Sequence, residues 1–174
     1  MAPHRYAPSY CEENVWWLAQ EARFAGLPAE AVIVSNAARA VQMSAQRASA
    51  SGEPVLWDYH VVLAVRAAQG IEVWDLDCTA GAPLAACAWL DASFDPLAPP
   101  ALAPRFRRIE AGSYVATFAS DRRHMRHDDG TWIAPPPPWP IVGGGAHALD
   151  RWLDLDDEAM GPPIDLRSLR ARWR

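Results

Sequence analysis

Residues 54–78 read PVLWDYHVVLAVRAAQGIEVWDLDC. Val, Leu, Trp and Tyr dominate 54–66, whose alternation predicts a β-strand. Ala67-Ala68-Gln69-Gly70 predicts a turn, and 71–78 the returning strand. In the first strand the odd positions Trp57, Tyr59, Val61 and Leu63 are large and apolar, so Asp58 and His60 project from the opposite face. In the second, Asp75 and Asp77 stand apart from Trp74 and Leu76. The midpoint of positions 60 and 75 lies inside the turn, which places His60 and Asp75 nearly opposite, on one face, within hydrogen-bond reach. An Asp on the far nitrogen of an imidazole fixes its tautomer and steadies the imidazolium. The plainer alternative is a half-buried histidine with a structural carboxylate partner.

Working outward, Ser9-Tyr10-Cys11-Glu12 has the S-x-x-E pattern of a capping box, followed by the apolar Val15, Trp16, Leu18, Ala19 and Ala22. It predicts a helix over 10–25, stopped by Gly26 and Pro28. With Ser9 as N-cap, Cys11 is the second helical residue and faces unsatisfied backbone N–H groups at the positive end of the helix dipole. Both favour thiolate, and the same N–H groups can hold an oxyanion. A free cysteine is otherwise a small buried hydrophobe.

Downstream, 31–35 predicts a strand and 36–51 stays unassigned. A short helix is expected over 84–90, a Pro-rich stretch over 96–104, a strand over 107–111, and a helix capped by Ser113 and running to Ala119. Residues 121–145 are loop-like; Pro135 to Pro138 suit a polyproline II spacer or a ligand for a proline-reading domain. A last helix starts near Asp165. The expected fold is α+β, one domain over 1–174 with an irregular arm at 1–8, its N-terminal helix packed on an antiparallel sheet.

With 174 residues, 51% of them hydrophobic and nine Trp, the chain can build a core without staples. A net charge of −5 argues against a nucleic-acid surface; all sixteen basic residues are Arg. Three cysteines, Cys11, Cys78 and Cys87, cannot all pair and form no C-x-x-C motif, which favours a reducing compartment. The polar, Pro-broken start does not read as a signal peptide, and the apolar run at 61–65 is too short to span a bilayer. A cytoplasmic monomer is expected, without nucleic-acid or membrane partners. Cys78 and Cys87 are taken as structural. Cys11, His60, Asp75 and Cys78 have zinc-ligand chemistry. A regular strand turns Cys78 away from Asp75, however, so no metal or other cofactor is expected.

A cysteine at a helix start with a His–Asp strand pair is the arrangement of papain-like and transglutaminase-like thiol enzymes. The words Tyr10-Cys11-Glu12-Glu13-Asn14-Val15-Trp16, Val55-Leu56-Trp57-Asp58-Tyr59-His60-Val61-Val62 and Trp74-Asp75-Leu76-Asp77 resemble the nucleophile, histidine and aspartate segments of the protein N-terminal glutamine amidohydrolases. So do Phe106-Arg107-Arg108, Phe118-Ala119-Ser120-Asp121-Arg122 and Pro135-Pro136-Pro137-Pro138-Trp139-Pro140, in the family's order. The sequence departs from the animal pattern in a shorter arm and a divergent stretch at 141–160. The resemblance implies a papain-like or transglutaminase-like fold, no metal, and the triad Cys11, His60 and Asp75. The implied reaction converts N-terminal Gln of proteins or peptides to Glu with release of ammonia. The alternatives are another thiol hydrolase or acyl transferase, such as a peptidase, and a non-catalytic binder of peptide N-termini. By parity Asp58 and Asp77 fall beside His60 and Asp75, where they could read the substrate's α-ammonium or simply bond backbone and Arg. Glu13 and Asp121 are the rival readers. His124 and His127 belong to a solvated loop or to the rim of the pocket.

Overall fold

Both arms of the 54–78 hairpin form in the computed structural model, which describes residues 4–143 and 149–174. The first three residues of the expected arm, and the last two of the expected 121–145 loop, lie outside the described residues. Strands β4 (His60–Ala67) and β5 (Gly70–Trp74) pair antiparallel from Leu63↔Trp74 to Ala67↔Gly70, leaving Ala68-Gln69 as the turn. Gly70, at φ +124°, holds a conformation that suits only glycine.

Two expectations about the hairpin are corrected. The first strand is broken: β3 (Val55–Trp57) leaves the main sheet to pair with β2 (Val41–Met43). Local bonds cause the break, because the Asp58 carboxylate accepts from Tyr59 N (3.0 Å) and Ser35 Oγ donates to Asp58 O (2.8 Å). The second strand ends at Trp74, since Asp75 Oδ1 accepts from Asp77 N and Asp75 O from Cys78 N, which curls the chain into a turn. Continued by one residue, the register sets Asp75 opposite Val62 rather than His60. A shift of two keeps the face, so His60 and Asp75 meet as a diagonal pair.

Strand β1 (Ala29–Ser35) lies between β4 and β7 (Arg105–Glu110), and β6 (Leu84–Ala85) and β8 (Ile164–Asp165) close the edges. The order β6-β5-β4-β1-β7-β8 is antiparallel throughout. Helices α1 (Cys11–Leu18), α3 (Ala111–Thr117) and α4 (Leu149–Leu153) cover one face, where Val15, Leu18, Tyr114 and Trp152 pack on Ile33, Val61 and Leu63. Helices α2 (Ala86–Ser93) and α5 (Leu166–Trp173) cover the other, where Trp89, Leu90 and Leu169 pack on Val32, Val62 and Ala64. The α+β class with an antiparallel sheet holds. Burial on both faces is the addition, and it explains why β4 is apolar at even as well as odd positions. Wholly burying Leu18 or Leu63 contributes about 2 kcal/mol each. Among the described residues no helix is long and apolar enough to cross a membrane.

The N-terminal helix is shorter than expected and starts differently. Ser9 sits at φ +66°, and Tyr10 takes the N-cap position without a side-chain cap bond, so the capping box does not form. Helix α1 stops at Leu18, where Gln20 Nε2 donates to Trp16 O, and 22–24 forms a separate 3-10 turn. Instead of a cap, the Asn14 amide fixes the entry by clasping both N and O of Ala7 at 2.8 and 2.9 Å. Further on, positions 84–85 belong to a strand and α2 starts at Ala86. Glu110, not Ser113, caps α3 through Gly112 N and Ser113 N, and the helix ends at Thr117, short of Ala119. The last helix starts next to Asp165 as expected, and Asp165 caps it by accepting from Ser168 N. The loop after α3 is held close: a Cβ on Gly143 (φ +77°) would stand 2.0 Å from Phe118 O.

Candidate active site

Cys11 is the first residue of α1 and is 8% exposed. Its sulfur lies 3.6 Å from Glu12 Oε2 and receives the Val61 backbone N–H from the start of β4. Burial pushes the thiol well above its ordinary range, Glu12 and Asp77 add to the rise, and the Val61 N–H pulls the other way. The sequence expectation of a thiolate favoured by the helix end is therefore corrected for the free protein. Desolvation and two carboxylates oppose the effect expected of the helix end.

His60 and Asp75 meet as expected. His60 Nε2 is 2.8 Å from Asp75 Oδ1, with both side chains buried. Trp57 stacks on the imidazole at 5.6 Å and 18°, which fixes its plane. Asp75 also accepts from Asp77 N (3.1 Å), Gln46 Nε2 (3.3 Å) and Trp89 Nε1 (3.0 Å). Burial opposes its charge, but His60, Trp89 and Gln46 prevail and hold its carboxyl below the usual range. Burial likewise pulls His60 down, and the charge and hydrogen bond of Asp75 overcome it, so the imidazole lies above its ordinary value. Its Nδ1 is buried and has no hydrogen-bond partner among the described residues. With Nε2 committed to Asp75, Nδ1 is the nitrogen left for proton transfer.

Cys11, His60, Asp58, Asp77, Tyr59 and His124 line one cavity of about 320 Å³. A larger groove of about 940 Å³ runs between the 95–105 segment and α5, and among the described residues no cysteine or histidine lines it. Of the four acids proposed to read an amine, Asp58 is exposed and Asp77 buried at the cavity wall, where Asp77 accepts from Tyr6 OH at 2.5 Å. Burial pushes the Asp77 carboxyl up, with His60, Tyr6 and Arg47 opposing and Asp75 adding to it. Glu13 is turned away: it is wholly buried and held by Arg122 Nε and Nη2 (2.7 Å each) and Trp139 Nε1 (2.7 Å). Asp121 receives Arg123 N and Nε and does not line the cavity. Trp139, which directly follows the Pro135 to Pro138 run, donates to Glu13.

His60, Asp75 and Asp77 bring ligand-type atoms within 4.8 Å of one another. Each already serves a protein hydrogen bond, Asp75 four of them, so the group is built as a hydrogen-bond network. Cys78 lies in the second core, beyond the end of β5, so strand parity does not govern its direction.

Three contributors escaped the sequence reading. Gln46 and Trp89 come from distant segments, and no local pattern marks them. Glu12 fits the expected capping box, yet it is 0% exposed and stands beside the sulfur. His124 falls at the cavity wall, the rim alternative for that loop, 3.5 Å from Glu12 Oε1 and 3.1 Å from Tyr59 OH. His127 is exposed in a turn closed by Thr131 O.

Residues 6–172 match the family described as N-terminal glutamine amidase. A protein N-terminal glutamine amidohydrolase of Homo sapiens is 36% identical over 159 residues, covering 87% of this chain and 76% of the relative. That of Danio rerio is 37% identical over 159 residues, covering 87% and 77%. That of Drosophila ananassae is 39% identical over 148 residues, covering 79% and 71%.

Proposed function

The chain belongs to the N-terminal glutamine amidase family, and from that premise we propose that it hydrolyses the side-chain amide of N-terminal glutamine in proteins or peptides. The products are N-terminal glutamate and ammonia, so the enzyme is a hydrolase of an amide C–N bond. The observation that carries the mechanism is that Cys11 and His60 line one cavity, with buried Asp75 bonded to His60 from behind.

His60 Nδ1 takes the Cys11 proton as the sulfur attacks the carboxamide carbon. Asp75 raises the basicity of the imidazole and holds its Nε2–H, leaving Nδ1 free to accept. The Cys11 backbone N–H, in the first turn where no intrahelical acceptor exists, steadies the oxyanion. His60 returns the proton to nitrogen, ammonia leaves, and the acyl group stays on Cys11 as a thioester. Water attacks the thioester with His60 as base, releasing glutamate and restoring the thiol. No metal takes part.

Asp58 and Asp77 give the cavity wall a negative field that suits the cationic end of such a substrate. The cysteine on an N-terminal helix and the His–Asp pair on an antiparallel sheet fit a papain-like or transglutaminase-like arrangement. Free Cys11, Cys78 and Cys87 suit a reducing, cytoplasmic setting, in which the protein works as a monomer. The experiment compares ammonia release from a Gln-initiated peptide, a peptide with internal Gln, and free glutamine. The first alone should be turned over efficiently. Cleavage or cross-linking of the internal-Gln peptide would mark a peptidase or transglutaminase instead.

A further inference from the structure

Glu12 is wholly buried, its Oε1 meets no hydrogen-bond geometry among the described residues, and its Oε2 stands 3.6 Å from the Cys11 sulfur. Its position is fixed from the backbone, because Tyr114 OH donates to Glu12 O at 2.9 Å. Two rings that line the cavity, Tyr59 and His124, also contact the carboxylate. His124 Nε2 lies 3.5 Å from Glu12 Oε1, with 26% of its side chain exposed. A buried carboxylate whose counter-ion is a half-exposed ring at the cavity wall can exchange that counter-ion for one carried in by a ligand.

We propose that Glu12 reads the free α-ammonium of the substrate's first residue, which replaces His124 as its cationic partner. The inference rests on the proposed deamidation of N-terminal glutamine and names the residue that selects the terminus. Distance supports it. Four bonds separate the α-nitrogen of glutamine from its side-chain amide carbon, so the two lie within about 5 Å of each other. When that carbon meets the sulfur, a carboxylate 3.6 Å from the sulfur is within range of the ammonium.

The other acids serve less well. Glu13 is spent on Arg122 and Trp139, and Asp77 accepts from Tyr6 while standing close to His60 and Asp75. Asp58 is exposed, where solvent weakens ion pairing. A charge-assisted bond formed out of water discriminates more strongly. The peptide nitrogen of an internal Gln is neutral and cannot replace the cation. Glu12 also bears on the sulfur directly, since a carboxylate 3.6 Å away opposes thiolate formation and its neutral Gln isostere would not.

The test measures kcat and KM of wild type and Glu12→Gln on a Gln-initiated peptide and on its N-acetylated form, with the iodoacetamide labelling rate of Cys11 in each free protein. Wild type should prefer the free amine by roughly 10- to 100-fold in kcat/KM. Glu12→Gln should lose that preference through the free-amine substrate alone, while its Cys11 labels faster, a combination that a merely structural role would not give. Equal loss on both substrates, or a preserved preference, overturns the inference. If Glu12→Gln fails to fold, His124→Gln should lower KM for the free-amine peptide only, and an equal change on both peptides overturns it. Wild type that deamidates both peptides equally sinks the inference and leaves amidase chemistry standing. Wild type that releases ammonia from neither sinks the proposed function, and this inference with it.

Discussion

Replacing Asp75 by Asn keeps the shape of the side chain and sets an NH2 group among four donors. In one orientation the Asn oxygen stays on His60 Nε2 and Asp77 N, and the new NH2 faces Trp89 Nε1 and Gln46 Nε2. Gln46 cannot simply turn over, because its Oε1 accepts from Trp57 Nε1. An orphaned buried indole costs about 1–3 kcal/mol, and exchanging a charged for a neutral acceptor at His60 about 1 kcal/mol more. In the other orientation the NH2 faces His60, and the ring must take the tautomer with its proton on Nδ1. That nitrogen can no longer accept from Cys11. Stability should therefore fall by about 2–4 kcal/mol, lowering Tm by roughly 5–15 °C. Turnover should fall by roughly 1,000- to 10,000-fold. Thermal melts and ammonia release from a Gln-initiated peptide read the two effects. A folded Asp75→Asn protein retaining turnover within about tenfold of wild type would refute the tautomer argument.

Glu13→Ala should cost about 3–5 kcal/mol by stranding Arg122 among buried groups, visible as a lowered denaturant midpoint. Gly143→Ala should destabilise by more than about 1 kcal/mol, since the methyl group meets Phe118 O at a φ that disfavours it; a melt unchanged from wild type would contradict the close approach. His60 has a raised folded pKa, so its contribution to stability is fully present below 6.5 and is lost as pH rises through that raised value. Asp75 has a lowered one, so its contribution is present above 3.8 and lost as pH falls. Melting temperature should decline on the alkaline side of 6.5, and the decline should vanish in His60→Gln. In the free protein Cys11, buried and with its thiol raised, should label more slowly at neutral pH than the half-buried Cys87, against the order expected from a helix-end thiolate. Rapid labelling of Cys11 would restore that expectation.

Local chemistry made part of this legible in the sequence. The Ala67 to Gly70 turn and the alternation around it put His60 and Asp75 on one face, although the strand ends and register differ by a residue or two. Because the side-chain period of a strand is two, an even error in register leaves the face unchanged, and the pairing survived the error. The helix start shows the opposite case. Ser9 and Glu12 satisfied a local pattern that the fold overrode, because Asn14 clasps Ala7 and sends Ser9 into the left-handed region. Cys11 still opens the helix, but Glu12 turns inward to the sulfur. What could not be read was long-range. The supports of Asp75 from Gln46 and Trp89, the approach of His124 to Glu12, and the bond from Trp139 to Glu13 leave no periodic trace in the chain.

The central claim is that Cys11 carries the acyl group of an N-terminal glutamine. Its most direct test is mass spectrometry of the protein and peptide after mixing with a Gln-initiated peptide and quenching in acid. Wild type should convert the peptide to its Glu form and carry a hydroxylamine-labile peptide adduct that maps to Cys11, while Cys11→Ala should show neither. Ammonia release by Cys11→Ala at a rate comparable with wild type, or an adduct mapping to Cys78 or Cys87, would contradict the account.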